Sequence, residues 1–298
     1  ESNLIGRSPN APKAPLPMRP LRREDFGVPD AGFAYYWLGH SSAILELAGK
    51  RILVDPVFGN AAPVEWSFVM ARFQPPPLAR NDLPPIDVVL ITHDHYDHLE
   101  AATMRHLADK VSRFVVPLGV GARLQSWGVP AERITELGWG DGVTIGGVKV
   151  TAETARHFSA RWTSDRNRTL WVSYALEGAG KRLYWGADGG YGRHFAQLGE
   201  KYRGFDIAFI EIDAANPGWP GSHLFPDEVI RAAQDLRAQV TVPIHWAVFN
   251  LGRNPWDSAI RRVHELAGQQ DVRLDVPRMG ERYTPEAHRP VPWWEGVE

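Results

Sequence analysis

The chain lacks cysteine entirely, and it lacks any long apolar run. Without cysteine in its 298 residues, disulfide bonds and thiolate metal sites are excluded, so histidine, aspartate and glutamate must supply any metal ligands. No apolar run reaches the roughly 18 residues of a membrane-spanning helix, and no signal-peptide segment is visible. Because the chain starts at Glu1 rather than at methionine, we expect that a leader or an N-terminal anchor preceded it.

Neither sign of charge is in excess, since the chain has 33 basic and 35 acidic residues and a formal net charge of −2. Nucleic-acid-binding proteins usually carry a basic excess, so we expect no nucleic-acid partner. The G-x-S-x-G motif that carries a serine nucleophile in α/β-hydrolases is also missing. A hydrophobic fraction of 44% in a chain of this length is ordinary for a globular protein with a substantial core.

The distribution of prolines and apolar segments divides the chain into an arm and one domain. Residues 1–30 contain six prolines, which predicts an extended N-terminal arm, and residues 31–298 are predicted to form a single domain. Within that domain, two groups of strand-like segments are each followed by helical ones. This order predicts two β-sheets packed face to face with helices outside, which is an αββα sandwich of the α/β (α+β) class.

The stretch VLITHDHYDH, residues 89–98, places three histidines and two aspartates directly behind an apolar strand. In an extended segment, residues two apart point to the same side, so His93 and His95 can reach one metal ion at the end of the strand. Asp97 and His98 lie where the chain turns toward the next helix, and they can face a second ion beside the first.

Three imidazoles and one carboxylate suit Zn²⁺ best among the common metal ions, and Fe and Mn are alternatives. The simpler interpretation is that these are solvated residues of a loop at a strand end. In a chain of this composition the pattern H-x-H-x-D-H arises by chance with odds of about one in a thousand, which favours the metal site. Asp94 points away from the other side chains, so we expect it to cap or support the site rather than bind metal.

Several segments in order along residues 33–255 resemble one known family. THDHYDHL matches the T-H-x-H-x-D-H signature of the metallo-β-lactamase superfamily. The chain is similar, within that superfamily, to N-acyl-phosphatidylethanolamine-hydrolysing phospholipase D and its bacterial relatives. The segments that carry this similarity are LGHSSAILELAGKRILVDPVF, ARFQPPPL, ARHFSARW, WGADGGYG, GSHLFPDEVI and PIHWAVF. The resemblance implies the metallo-β-lactamase fold and a dinuclear metal centre.

The resemblance also implies a role for each matched residue. It assigns the first ion to His93, His95 and His157, the second ion to Asp97, His98 and His245, and both ions to Asp188. Taken singly, a histidine such as His245 is more often a core residue than a ligand, and Asp188 between Ala187 and Gly189 is also typical of a turn.

Three further positions complete what the resemblance implies for the site. His223 is the candidate for binding the phosphate or protonating the leaving group, and it joins Asp97 and Asp188 as a predicted catalytic residue. Its alternative is a structural place before the next helix. His40 and Asp55 either orient the metal ligands or form turns. Gly189 is a departure from the family pattern, because relatives often have threonine there.

The implied activity is hydrolysis of a phospholipid-like phosphodiester. Two Zn²⁺ ions that share a water lower its pKa, and the resulting hydroxide attacks without a protein nucleophile. A lactonase or a β-lactamase on the same site is the main alternative, and the charge balance disfavours a nuclease. A di-iron oxidoreductase is disfavoured because that branch has glutamate at the position of His95. A non-catalytic scaffold is disfavoured because all seven ligands are present.

The expected partner is a small-molecule or phospholipid-like substrate. Trp66 and Trp219 lie in proline-rich stretches and are candidates for lining a lipid groove, with ordinary core packing as the alternative. Peripheral membrane contact and a homodimer are compatible with this activity. The sequence does not decide the location, and the alternatives are the bacterial cytoplasm and the periplasm or membrane surface after removal of a leader.

Overall fold

The computed structural model describes residues 9–63 and 70–297. Within these residues the chain forms two β-sheets flanked by five helices. The helices are α1 Ala101–Leu107, α2 Gly121–Ser126, α3 His194–Tyr202, α4 Pro226–Asp235 and α5 Ser258–Gln269. None of these described helices is long and apolar enough to cross a membrane.

Each sheet combines antiparallel and parallel strands. The first sheet has the order β13-β1-β2-β3-β4-β5-β6, and β3 to β6 run parallel. Its strands are β1 Phe33–Gly39, β2 Ser42–Leu47, β3 Lys50–Val54, β4 Val88–Leu90, β5 Arg113–Pro117, β6 Ile134–Leu137 and β13 Arg282–Tyr283. The second sheet has the order β12-β11-β10-β9-β8-β7, and β10 to β12 run parallel. Its strands are β7 Gly142–Ile145, β8 Val148–Glu153, β9 Ser173–Gly178, β10 Lys181–Trp185, β11 Phe205–Glu211 and β12 Ala238–Ile244.

The core lies between the facing sheets and beneath the helices on either side. Tyr35 of the first sheet packs against Phe209 of the second, with ring centroids 4.8 Å apart. The same apolar cluster continues to α4 and α5 through Val229 and Ile260. A second cluster fills the space between the first sheet and its helices, where Met104 of α1 is fully buried. The arrangement confirms the predicted αββα sandwich.

The structure differs from the sequence-based prediction in several elements. The nearly continuous apolar pattern of FAYYWLGHSSAILEL predicts one strand, but this segment forms β1 and β2 with a tight turn at His40, whose φ is +55°. The apolar pattern runs through this turn and hides it. β6 and α3 were not predicted. The segment VRLDVPRMGERY predicts a closing strand, but only its last two residues form β13, because Pro277 interrupts the segment before them.

The described part of the proline-rich segment lies against the sandwich. Leu16 and Leu21 are buried in the two apolar clusters. The backbone N–H of Arg19 donates to the carbonyl of Met279 at 2.8 Å. Extended chain therefore covers the apolar surface here, while the boundary between arm and domain at residue 30 stays a prediction.

Candidate metal centre

The seven predicted ligands follow four different strands and meet at one edge of the sandwich. The motif at residues 92–98 follows β4, His157 follows β8, Asp188 follows β10 and His245 follows β12 directly. Strand ends that share an edge bring together side chains that are far apart in the chain. In the structure these side chains form two adjoining groups of potential metal donors.

The first group contains His93, His95, His157 and Asp188, each of which offers one donor atom within 4.8 Å of the others. Nδ1 of His95 lies 2.9 Å from Nε2 of His93 and 3.3 Å from Nε2 of His157. Asp188 Oδ2 lies 3.9 Å from Nε2 of His93 and 3.8 Å from Nε2 of His157. Three imidazoles and one carboxylate form a donor set that suits a four-coordinate Zn²⁺ ion.

The second group contains His40, Asp97, His98 and His245. Asp97 Oδ2 lies 3.4 Å from Nε2 of His98 and 3.3 Å from Nε2 of His245. Asp188 Oδ2 is also close to these two nitrogens, at 3.2 Å from His98 and 2.9 Å from His245. A single carboxylate therefore faces both groups, and the binding of both ions by Asp188, which the family resemblance implies, stays a prediction.

Unpartnered buried atoms show that this site suits metal ions. Nε2 of His98, Nε2 of His245 and Oδ1 of Asp188 are buried without a hydrogen-bond partner. Burying such groups unsatisfied is costly, and coordination of a cation would satisfy them. The donors are nitrogen and oxygen only, so the His and Asp clusters fit Zn²⁺, Fe or Mn.

The pKa shifts in the second group and at Asp188 also favour the binding of a cation. Burial alone would raise the pKa values of Asp97 and Asp188, but the nearby imidazoles of His98 and His245 outweigh burial and hold both pKa values well below the usual range. Burial would lower the pKa values of these two histidines, but the carboxylates raise the pKa of His98 well above normal and that of His245 to about 10. Protons thus hold the place that a metal ion would take.

The imidazoles of the first group are neutral, as metal ligands must be. Burial lowers the pKa values of His93 and His157 well below normal and also lowers that of His95. Nδ1 of His157 donates to the backbone oxygen of Ser222 at 3.0 Å. That bond leaves Nε2 of His157 facing the other donors.

Asp55, for which the sequence left two roles open, contacts the ligand-bearing segment directly. Its Oδ2 accepts from Nδ1 of His98 at 2.8 Å and from the Thr92 hydroxyl at 2.6 Å. Its Oδ1 accepts the Thr92 N–H at 2.8 Å. The Thr92 hydroxyl in turn lies 3.0 Å from Nδ1 of His93. Asp55 therefore holds the orientation of His98 and, through Thr92, of His93.

His40 likewise contacts the site rather than only forming a turn. Its Nε2 lies 2.9 Å from Asp97 Oδ2, and its ring centroid lies 3.9 Å from that of His245. Left-handed backbone is costly for residues other than glycine, and such strain clusters at functional sites. Four residues at or beside this site adopt it: His40 (φ 55°), Asp55 (φ 40°), Ala187 (φ 52°) and His245 (φ 63°).

The sequence interpretation did not identify Glu211 as a site residue. This residue ends β11, is 1% exposed, and places Oε2 2.6 Å from Nδ1 of His223. Its Oε2 also lies 3.8 Å from Nδ1 of His245. The available signal was a carboxylate inside the apolar run FIEID, because a buried acid needs a partner.

Gly189 packs against the backbone beside a predicted ligand. A Cβ at this position would lie 3.0 Å from Arg156 O and 3.2 Å from Arg156 C and N. The residue after Arg156 is His157, so a side chain at Gly189 would push on the loop that carries this ligand. A glycine at this position therefore matches the close approach of the two loops.

Gly189→Thr is expected to lower both stability and bound metal. Overpacking of this kind costs about 1–3 kcal/mol, and displacement of His157 would weaken the first group. Thermal unfolding and metal content per chain measure the two effects. Gly268→Thr is the matched control, because a Cβ there meets nothing within 4 Å. Unchanged metal content in Gly189→Thr would show that the Arg156 loop adjusts freely.

A groove of about 540 Å³ opens beside His95. Arg166 lies over the ring of Phe158 at 4.2 Å, and Trp162 is 67% exposed. The groove is lined by His95, Phe158, Ala160, Arg161, Trp162, Thr163 and Arg166. Of the two tryptophans proposed for a lipid groove, Trp66 lies outside the described residues. Nε1 of Trp219 donates to the Ala214 carbonyl at 2.9 Å.

Comparison with known proteins defines the class. The model of the "Beta-lactamase superfamily domain" matches residues 50–246. An uncharacterized protein of Mycobacterium tuberculosis is 40% identical over 298 residues, with 98% of this chain and 79% of that protein aligned. The chain therefore belongs to the β-lactamase superfamily of metal-dependent hydrolases, as the sequence motifs predicted.

Two named proteins add detail to this assignment. N-acyl-phosphatidylethanolamine-hydrolyzing phospholipase D 1 of Caenorhabditis elegans is 32% identical over 252 residues, covering 80% of this chain and 70% of the worm protein. The crystal structure of isothiocyanate hydrolase from Delia radicum gut bacteria superposes with a TM-score of 0.66 over 84% of this chain and 98% of that one, at 16% identity. At such low identity, the second similarity concerns the fold alone.

Proposed function

We propose that this chain hydrolyses a phosphodiester bond of a phospholipid-like substrate at a centre of two zinc ions. The observation that carries the proposal is the Asp188 carboxylate, which faces two adjoining groups of buried donors at once. The similarity to the worm phospholipase supports the substrate class. A phosphodiester suits such a centre, because paired cations neutralise the charge of a phosphate.

The chain offers a complete ligand set for each ion of the proposed pair. His93, His95 and His157 would hold the first, Asp97, His98 and His245 would hold the second, and Asp188 would bind both. When bound, such a pair supplies an acidified water as nucleophile and neutralises phosphate charge. His40 then remains the hydrogen-bond partner of Asp97, and Asp55 remains that of His98.

The groove beside His95 supplies what a phospholipid-like substrate needs beyond the metal centre. The guanidinium of Arg166 is a cation suited to bind a phosphate or another anionic group of a lipid headgroup. Phe158 and the exposed ring of Trp162 offer apolar surface for an acyl chain. Both kinds of contact lie within reach of the ligand His95, which also lines the groove.

Metal analysis followed by turnover assays tests the proposal. We expect two zinc ions per chain and hydrolysis of an N-acylated phospholipid, with slower hydrolysis of bis-p-nitrophenyl phosphate. A panel of lactones, a β-lactam and an isothiocyanate covers the other hydrolase chemistries of the fold. Lactone opening without phosphodiester hydrolysis would replace the proposal, and two iron ions with an oxidisable substrate would point to redox chemistry instead.

His223→Ala is expected to lower turnover by about 100-fold or more, which is the usual contribution of a general acid. Metal content should not change, because His223 is a proposed proton donor and not a ligand. Elemental analysis and steady-state kinetics on the N-acylated phospholipid measure the two effects. The control is His264→Ala on the exposed side of α5, which should leave kinetics unchanged. Unchanged kinetics in His223→Ala would reduce His223 to a structural role.

A further inference from the structure

The Glu211 side chain joins two loops of the proposed active site. Its Oε2 accepts a hydrogen bond from Nδ1 of His223 at 2.6 Å, and its Oε1 accepts the N–H of Gly189 at 2.6 Å. Gly189 directly follows Asp188, so the carboxylate links the His223 loop to the loop of the shared ligand. Only 1% of the surface of Glu211 is exposed, so these two hydrogen bonds, and not bulk solvent, satisfy its carboxyl oxygens.

The Glu211 contact decides which nitrogen of His223 can act. Because Nδ1 is engaged by Glu211, Nε2 is the ring nitrogen left for a substrate. The ring lies between two ligand imidazoles, with centroids 5.3 Å from His157 and 5.2 Å from His245. A histidine that lies beside proposed metal ligands and donates Nδ1–H to a buried carboxyl group is suited to hold a second proton on Nε2 and release it to a leaving group.

We propose that Glu211 is a positioning residue that accepts a hydrogen bond from Nδ1 of His223 and holds the imidazolium form of this ring, so that its Nε2 proton can pass to the leaving alkoxide. This inference rests on the proposed phosphodiesterase activity. In the step, a bond forms between a water oxygen and phosphorus while the bond from phosphorus to the alkoxide oxygen breaks. The Nε2 proton of His223 passes to that alkoxide oxygen, and the proton lost by the water restores His223 through solvent.

A third metal site is the competing interpretation of the same residues. Glu211 and His223, with Asp188 and His245, offer donor atoms that lie within 4.8 Å of one another. However, both Glu211 oxygens already accept hydrogen bonds. The buried atoms of this third group that make no hydrogen bond belong to Asp188 and His245, which the other two groups already contain. The contacts therefore favour a positioning role for Glu211, and metal content decides between the two interpretations.

Two diester substrates that differ in leaving group test the inference. p-Nitrophenolate departs as a stable anion, whereas an alkoxide needs a proton. Glu211→Gln should lower kcat on a dialkyl phosphodiester about 10- to 100-fold, with kcat on bis-p-nitrophenyl phosphate and KM changed less than about 3-fold. Glu211→Asp should restore part of the loss. Because Glu211 acts through His223, the double variant Glu211→Gln/His223→Ala should match His223→Ala alone.

The matched control is Glu153→Gln, a buried carboxylate whose contacts are Lys201 and the Tyr202 hydroxyl of α3 rather than His223 or a proposed ligand. It should show no dependence on leaving group. Metal content and thermal unfolding verify that each variant is folded and loaded. Equal losses on both diesters, additive losses in the double variant, or a third bound ion that Glu211→Gln removes would each overturn the inference. A wild-type protein that cleaves neither diester would overturn the proposed function, and the inference with it.

Discussion

Asp188→Asn is expected to abolish turnover and to reduce bound metal from two ions per chain to one or none. The substitution keeps the size of the side chain but removes the negative charge that faces both donor groups. Loss of that charge weakens both proposed sites together, whereas loss of a histidine weakens one. We expect activity to fall roughly 1,000-fold or more, since electrostatic stabilisation of the transition state is usually the largest single contribution to catalysis.

Elemental analysis and kinetics on the same preparation test this prediction. Asp94→Asn is the control, because Asp94 is equally buried and lies in the same motif but pairs with Arg123 at 2.8 Å. Breaking that buried pair should lower stability while bound metal stays near two ions. If Asp188→Asn retained both ions and normal turnover, the shared-ligand arrangement would be wrong.

Local spacing alone was enough to predict that some of these potential metal donors lie together. His93 and His95 are two residues apart at the end of a strand, so their shared direction follows from strand geometry. The position of His157, Asp188 and His245 beside them depends on which strand ends share an edge. That information came from the family resemblance and is now visible in the sheet order.

The remaining features could not be read from the sequence, because they depend on contacts between distant segments. Glu211 contacts His223 only because the loop before α4 folds back over the end of β11. His40 reaches Asp97 only because the chain turns between β1 and β2 inside an apolar run that shows no break. In both cases the sequence shows a polar residue in an apolar setting but does not show its partner.

The sharp turns after the strands, which sequence patterns do not predict, share a physical cause. The strands are buried, and their apolar residues predict them well. The residues that follow each strand must turn the chain sharply. His40, Asp55, Ala187 and His245 do so with left-handed backbone, which propensity rules disfavour. The packed sheets behind them stabilise these strained turns, so the four residues keep a backbone conformation that their own local preference disfavours.

Chelation of the metal is expected to abolish activity and to lower the thermal midpoint, and added zinc should restore both. Without ions, Nε2 of His98 and of His245 and Oδ1 of Asp188 are buried and make no hydrogen bond. At a free-metal concentration 1,000 times its Kd, binding stabilises the folded state by about 4 kcal/mol. For a chain of this size that corresponds to a shift on the order of 10 °C.

Thermal unfolding with chelator, with zinc, and with chelator followed by zinc measures this shift of the midpoint. Asp188→Asn should show a much smaller shift on zinc addition, because the ligand that both sites share has lost its charge. The apo protein should also bind zinc more weakly as the pH falls, because the carboxylates keep His98 and His245 protonated until metal displaces those protons. A thermal midpoint that neither the chelator nor zinc changes would mean that these buried donors do not bind metal.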